Sequence, residues 1–291
     1  MRRWLPLLLL LAGCVGSAPE ESGPPVDQTL ERDTAAGHVA FELEHPGEAA
    51  AKYREALERA QARDDLEQIG TLGYNLAVAE LQADAPDRAL DAARTTRTEL
   101  QRRGAEPFPG LLLVEATALY RTDAPSEADA VAAGAEAGTD AEASARASFL
   151  RGLIADERGN ERGLAAALDK LRAASAPALQ ADAAELAARL ALRRGDFGMA
   201  QQEAARAEAL RRETLDYRGL ARVLAVGGEA ASRGGNPKAA ADLFWRAGRS
   251  AAAQDDVEMA RLWLRQAAAL APELPVGKAA KDLLARLDRN E

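Results

Sequence analysis

Catalysis and metal binding need nucleophiles, acids, bases or ligands that converge, and this 291-residue sequence has few to bring together. Cys14 is the sole cysteine, so no disulfide closes within the chain and no thiol site is available after residue 14. The two histidines, His38 and His45, stand seven residues apart, without the cysteine partners or HExxH arrangement of a zinc site. No glycine-rich phosphate loop and no GxSxG elbow occurs, and the 46 Asp and Glu residues are dispersed among 37 Lys and Arg. The inventory argues against an enzyme, a metal site and a bound cofactor.

The elements that would position any site are helices. Alanine, the best helix former, supplies 70 residues, whereas aromatics make up 4% of the chain. An all-α protein follows, with no sheet expected. Net charge is −9, and loss of residues 1–13, which carry Arg2 and Arg3, makes it −11. A surface so acidic, with its cations interspersed, argues against nucleic acid as a partner.

Cys14 has an informative context. Arg2 and Arg3 form a charged start, Leu5 to Leu11 a short apolar run, and Ala12 and Gly13 the small residues a signal peptidase accepts. The run falls well short of the roughly 20 residues that span a bilayer, so it reads as an export signal. Leu11-Ala12-Gly13-Cys14 resembles the lipobox of bacterial lipoproteins. The resemblance implies cleavage before Cys14 and acylation of that residue on sulfur and amine, and several acyl chains on one residue hold essentially permanently. Val15, where aspartate would favour retention in the inner membrane, points to the outer membrane, with the chain facing the periplasm. Val15 to Asp27, rich in Gly, Ser, Pro and acid, reads as a disordered tether reaching at most about 45 Å.

Beyond the tether a repeat recurs. Small residues come in pairs twelve positions apart: Gly37 and Ala49, Ala77 and Ala89, Ala116 and Ala128, Ala188 and Ala200, Gly228 and Ala240, with Gly152 and Leu164 departing in size. Apolar or small residues follow the second member at plus four and plus seven, as in Tyr53 and Ala56 or Phe244 and Ala247, the stripe of a buried helix face. Turn signals sit between the members: Pro46-Gly47, Ala85-Pro86, Ala124-Pro125, Gly159-Asn160, Gly195-Asp196 and Asn236-Pro237. Successive second members are spaced 40, 39, 36, 36 and 40 residues.

This pattern resembles the tetratricopeptide (TPR) repeat, with longer repeats than its usual 34 residues. The resemblance implies an α-solenoid, a right-handed superhelix of antiparallel helix pairs over residues 28–274, with six repeats and a terminal extension. Gly248, Ala260, Leu264, Ala267 and Pro272 fit the pattern once more, so the helix around 238–253 can belong to either of the last two frames. Residues 275–291 hold a capping helix and tail.

In the family, first helices of the pairs line a concave groove. Its lining positions fall here on Phe41, Tyr74, Val78, Leu81, Leu113, Tyr120, Phe149 and Leu153, which would suit an apolar peptide unless they pack between layers. Further along they fall on Glu185, Arg189, Arg193, Arg222 and Arg233, which would suit an acidic segment. The chaperone-tail clamp is not expected: Asn75 fits its pattern, but Thr34, His38, Gly110 and Val114 replace its other residues. The expected function is a lipid-anchored scaffold or adaptor that binds a protein or peptide in an envelope assembly, secretion, pilus or cell-wall complex. The alternative is a regulator that activates a periplasmic cell-wall enzyme.

Overall fold

The computed structural model describes residues 26–289, so Cys14, the export signal and nearly all of the tether lie outside the described residues. Among the described residues there are fourteen helices and no strand: α1 (Gln28–Glu42), α2 (Pro46–Ala62), α3 (Leu66–Gln82), α4 (Pro86–Arg102), α5 (Pro109–Arg121), α6 (Pro125–Glu136), α7 (Ala141–Glu157), α8 (Glu161–Leu171), α9 (Pro177–Arg193), α10 (Phe197–Glu213), α11 (Tyr217–Arg233), α12 (Pro237–Ala252), α13 (Val257–Leu270) and α14 (Pro275–Leu287). None of them is long and apolar enough to cross a membrane.

Every one of these helices starts on one of two devices. The side chains of Asp27, Asp65, Asp140, Asn160, Asp196, Asp216, Asn236 and Asp256 accept a backbone N–H from the first turn. Elsewhere Pro46, Pro86, Pro109, Pro125, Pro177 and Pro275 take the first helical position, where a missing N–H costs nothing.

The turns are equally regular. In turns such as 43–45, 63–65, 83–85, 194–196 and 234–236, the middle residue is left-handed, at φ 59° for Glu44, 58° for Asp64 and Asp84, 77° for Gly195 and 81° for Gly235. The next N–H then reaches back five residues to close the preceding helix, as His45 does to the Ala40 carbonyl and Asn236 to that of Ala231. The residue that closes one helix thus directly precedes the next, which keeps these connections at three residues. Leu215 occupies the left-handed position of its turn at φ 55° and is 66% exposed. A left-handed leucine is sterically disfavoured and this side chain has little packing to lose, so Leu215→Gly should stabilise the protein by about 0.5 to 1 kcal/mol in urea unfolding.

The paired small residues are the closest points between helices. Ala49, Ala77, Ala89, Ala116, Ala128, Ala188, Ala200 and Ala240 are fully buried. A Cβ on Gly37 would come within 2.7 Å of the Tyr53 ring, and one on Gly248 within 2.6 Å of Leu264. Gly228 similarly faces the Phe244 ring at 3.1 Å. Leu164, the departure in size, is also fully buried, in the shorter eleven-residue helix α8. The long repeat period has a simple origin, since α2, α3 and α4 each run 17 residues.

Consecutive helices pack antiparallel along the whole array. In addition α3 touches α5, α5 touches α7, α7 touches α9 and α9 touches α11, so the odd-numbered helices form the inner layer. At the C-terminal end the layer changes over: α12 packs directly on α14. The helix that fitted two frames therefore serves both, as the second helix of the pair with α11 and the first of the pair with α13. Gly248 beneath Leu264 is the seam of that last pair, and α14 covers it, running from Pro275 to Leu287.

Candidate functional site

The inner layer presents two kinds of side chain. Phe41, Tyr74, Val78, Leu81, Leu113, Tyr120 and Phe149 are half-buried and pack against the core clusters between neighbouring pairs. The Tyr74 and Phe108 rings meet edge to face at 5.5 Å, and the Tyr120 hydroxyl donates to Glu157. Burial and that hydrogen bond push the Tyr120 phenol well above its ordinary range. Leu153, expected on the face, is 4% exposed and belongs to the core with Leu164, Leu168 and Leu186, so it offers no surface. The apolar positions thus chiefly join layers, leaving partial edges toward the inner face.

The second kind is charged. Glu185 in α9 is fully buried and accepts from Arg222 through Nε at 2.6 Å and Nη2 at 2.9 Å, from Arg189 at 3.1 Å and from Arg211 at 3.1 Å. Arg211 also reaches Asp182 at 2.6 Å and Asp216 at 2.6 Å. The Arg211 and Arg222 guanidinium carbons each lie 5.5 Å from the Phe149 ring centroid. Burial alone would raise the Glu185 carboxyl, but the Arg222 and Arg189 charges outweigh it and hold the group down, at about 2. At Asp182 burial prevails over Arg211 and the shift is upward.

These contacts correct one expectation. Arg189 and Arg193 were to be available to an acidic segment, yet Arg189 donates to Asp156 at 2.9 Å and Arg193 also bonds to Asp156. The chain supplies its own acid from the preceding pair. What remains open beside them is a cavity of about 450 Å³ at the ends of α7, α9 and α11, lined by Asp156, Arg189, Arg193, Glu229 and Arg233 among others. Its charges are mixed, with Arg233 near Glu229 at 3.4 Å and over the Phe197 ring at 5.1 Å. Such a lining suits a polar segment of alternating charge better than a uniformly acidic one.

Two further buried carboxylates tie the array together. Glu80 in α3 is 1% exposed and takes Arg54 at 2.5 Å and Arg88 at 2.7 Å, linking three helices beneath a cleft of about 380 Å³ between α2 and α4. Glu115 in α5, also 1% exposed, takes Arg97 at 2.7 Å. The sequence carried a signal for all three acids. Glu80 continues the stripe Ile69, Gly73, Leu76, Glu115 sits between Leu111 and Ala118, and Glu185 between Ala181 and Ala188, each at helical spacing on a buried face. Among the described residues no group of three or more His, Cys, Asp or Glu is arranged to hold a metal ion.

No family model matches the chain, and no curated protein does. Solved structures do. A tetratricopeptide repeat protein from Parabacteroides merdae ATCC 43184 is 17% identical, covering 90% of this chain and 99% of that one, with a TM-score of 0.52. A chain of the APC/C hetero-tetramer Cut9-Hcn1 is 14% identical over 89% of this chain, with a TM-score of 0.50, and this chain covers 52% of its length. At these identities the likeness is one of fold: a TPR-like α-solenoid.

Proposed function

We propose that the protein is a lipid-anchored scaffold of the bacterial cell envelope that holds a protein partner against the inner layer of its solenoid. The observation that carries the reading is the continuous inner face from α3 to α11, with the mixed-charge cavity lined by Arg193, Glu229 and Arg233 at the ends of its helices. A solenoid spreads such a face over successive pairs, which suits an extended or helical segment of another protein rather than a small substrate. The lipobox-like Leu11 to Cys14 supports the anchor, and Val15 favours the outer membrane with the array in the periplasm.

Both halves are testable on the full chain. Cys14→Ser should abolish incorporation of labelled palmitate and shift the protein from the membrane to the soluble fraction; unchanged fractionation would remove the anchor from the account. Replacing Arg193, Glu229 and Arg233 together by alanine should abolish co-purification of the partner, whereas Gln202→Ala, exposed on the outer helix α10, should leave it intact. Equal recovery with both variants would place binding elsewhere.

A further inference from the structure

The ion pairs described above join helices of the same or adjacent pairs, but one reaches much further. Asp84, at the left-handed position of the turn between α3 and α4, accepts from Arg218 Nη2 at 3.2 Å, across 134 residues of sequence. Arg218 stands in the first turn of α11, four helix pairs along the array. The same Asp84 oxygen also accepts from Arg121, the last residue of α5, whose other nitrogen holds the Leu81 carbonyl at 2.8 Å. One rim of the second and third pairs therefore meets the opposite rim of the sixth through a single carboxylate shared by two guanidiniums.

We propose that Asp84, Arg121 and Arg218 form a clasp that holds the solenoid curled, and that releasing it lets the two ends of the inner face move apart. Pairs in a solenoid touch mainly their neighbours, so curvature is set by small rotations at each interface, and a contact between distant pairs constrains several of them together. The geometry favours a releasable contact over a structural one. The side chains of Asp84 and Arg218 are 46% and 42% exposed, within reach of screening ions. Without Asp84 the two arginines would repel. Burial lowers the Arg121 pKa, Arg218 lowers it further, and Asp84 and Asp256 act against them. In the extended form the inner face proposed above would be open along its whole length; the clasp itself does not depend on that reading.

Small-angle scattering of the full chain tests this. Asp84→Arg and Arg218→Asp should each increase the radius of gyration and maximum dimension, and the double exchange, which restores two arginines around one aspartate, should return both to the wild-type values. Raising the salt from about 0.05 M to 1 M, which shortens the screening length to about 3 Å, should expand the wild type and leave Asp84→Arg unchanged. Helical circular dichroism and melting temperature, expected to be nearly constant, distinguish opening from unfolding. Identical dimensions in all four proteins, or a double exchange as expanded as the single variants, would overturn the clasp.

Discussion

Glu185→Gln is expected to lower the stability of the folded array by about 3 to 5 kcal/mol, the range for removing one partner of a buried ion pair. The side chain is fully buried, and the substitution preserves its shape while removing the charge that Arg189, Arg211 and Arg222 share. Those guanidiniums extend from three helices and cannot all turn to water, so charge is left uncompensated at the junction of α9, α10 and α11. A surface pair behaves differently: Asp169→Asn, at the exposed Arg172 contact, should change stability by less than about 1 kcal/mol. The effect also has a pH signature. The surrounding arginines hold the Glu185 carboxyl down at about 2, below the ordinary 4.5 of an unfolded glutamate, so its stabilising contribution is present above that unfolded value and fades as pH falls toward 2. Asp182 shifts upward and opposes it. Urea midpoints of wild type and Glu185→Gln should therefore differ most at pH 7 and converge below about pH 4. Curves that stay parallel down to pH 2.5 would assign the stabilisation to another group.

Leu264→Ala should cost about 2 to 5 kcal/mol, and the loss should be local. Leu264 is fully buried over Gly248 and shares a core with Phe244 and Trp263. No side chain in the α12–α13 seam can grow inward to fill the space, because the opposing residue is the glycine. In an array where each pair rests mainly on its neighbours, weakening one interface frees the end beyond it before the middle. Amide exchange in α12 to α14 should accelerate by two to three orders of magnitude, while amides around the buried Leu119 in α5 change little. Uniform acceleration along the chain would show one cooperative unit instead.

The architecture was legible wherever chemistry acts within a turn or two of sequence. Asp, Asn and Pro at helix starts and small residues twelve apart located the pairs because caps and close seams demand those types whatever lies elsewhere. Turns such as Thr214-Leu215-Asp216 carry no Gly or Pro in the strained position, so the sequence alone does not single them out. The double role of α12 followed from residues that fitted two frames, but which layer it joins depends on packing by α14. The charged face was misread for a different reason. Arg189 and Arg193 look available along their own helix, and Asp156, which occupies them, comes 33 and 37 residues earlier through the stacking of α7 on α9. Acids on buried stripes, such as Glu80, Glu115 and Glu185, were the sign that arginines from adjacent helices turn inward.

The central claim is that the inner layer holds a partner protein, and site-specific photocrosslinking in living cells addresses it most directly. A photoreactive residue replacing Arg193 in α9 or Glu229 in α11 should trap the same protein, in adducts that disappear when Arg233 is also changed to alanine. The same residue at Gln202 on the outer helix α10 should trap none. Adducts from Gln202 but not from Arg193 or Glu229 would contradict the account.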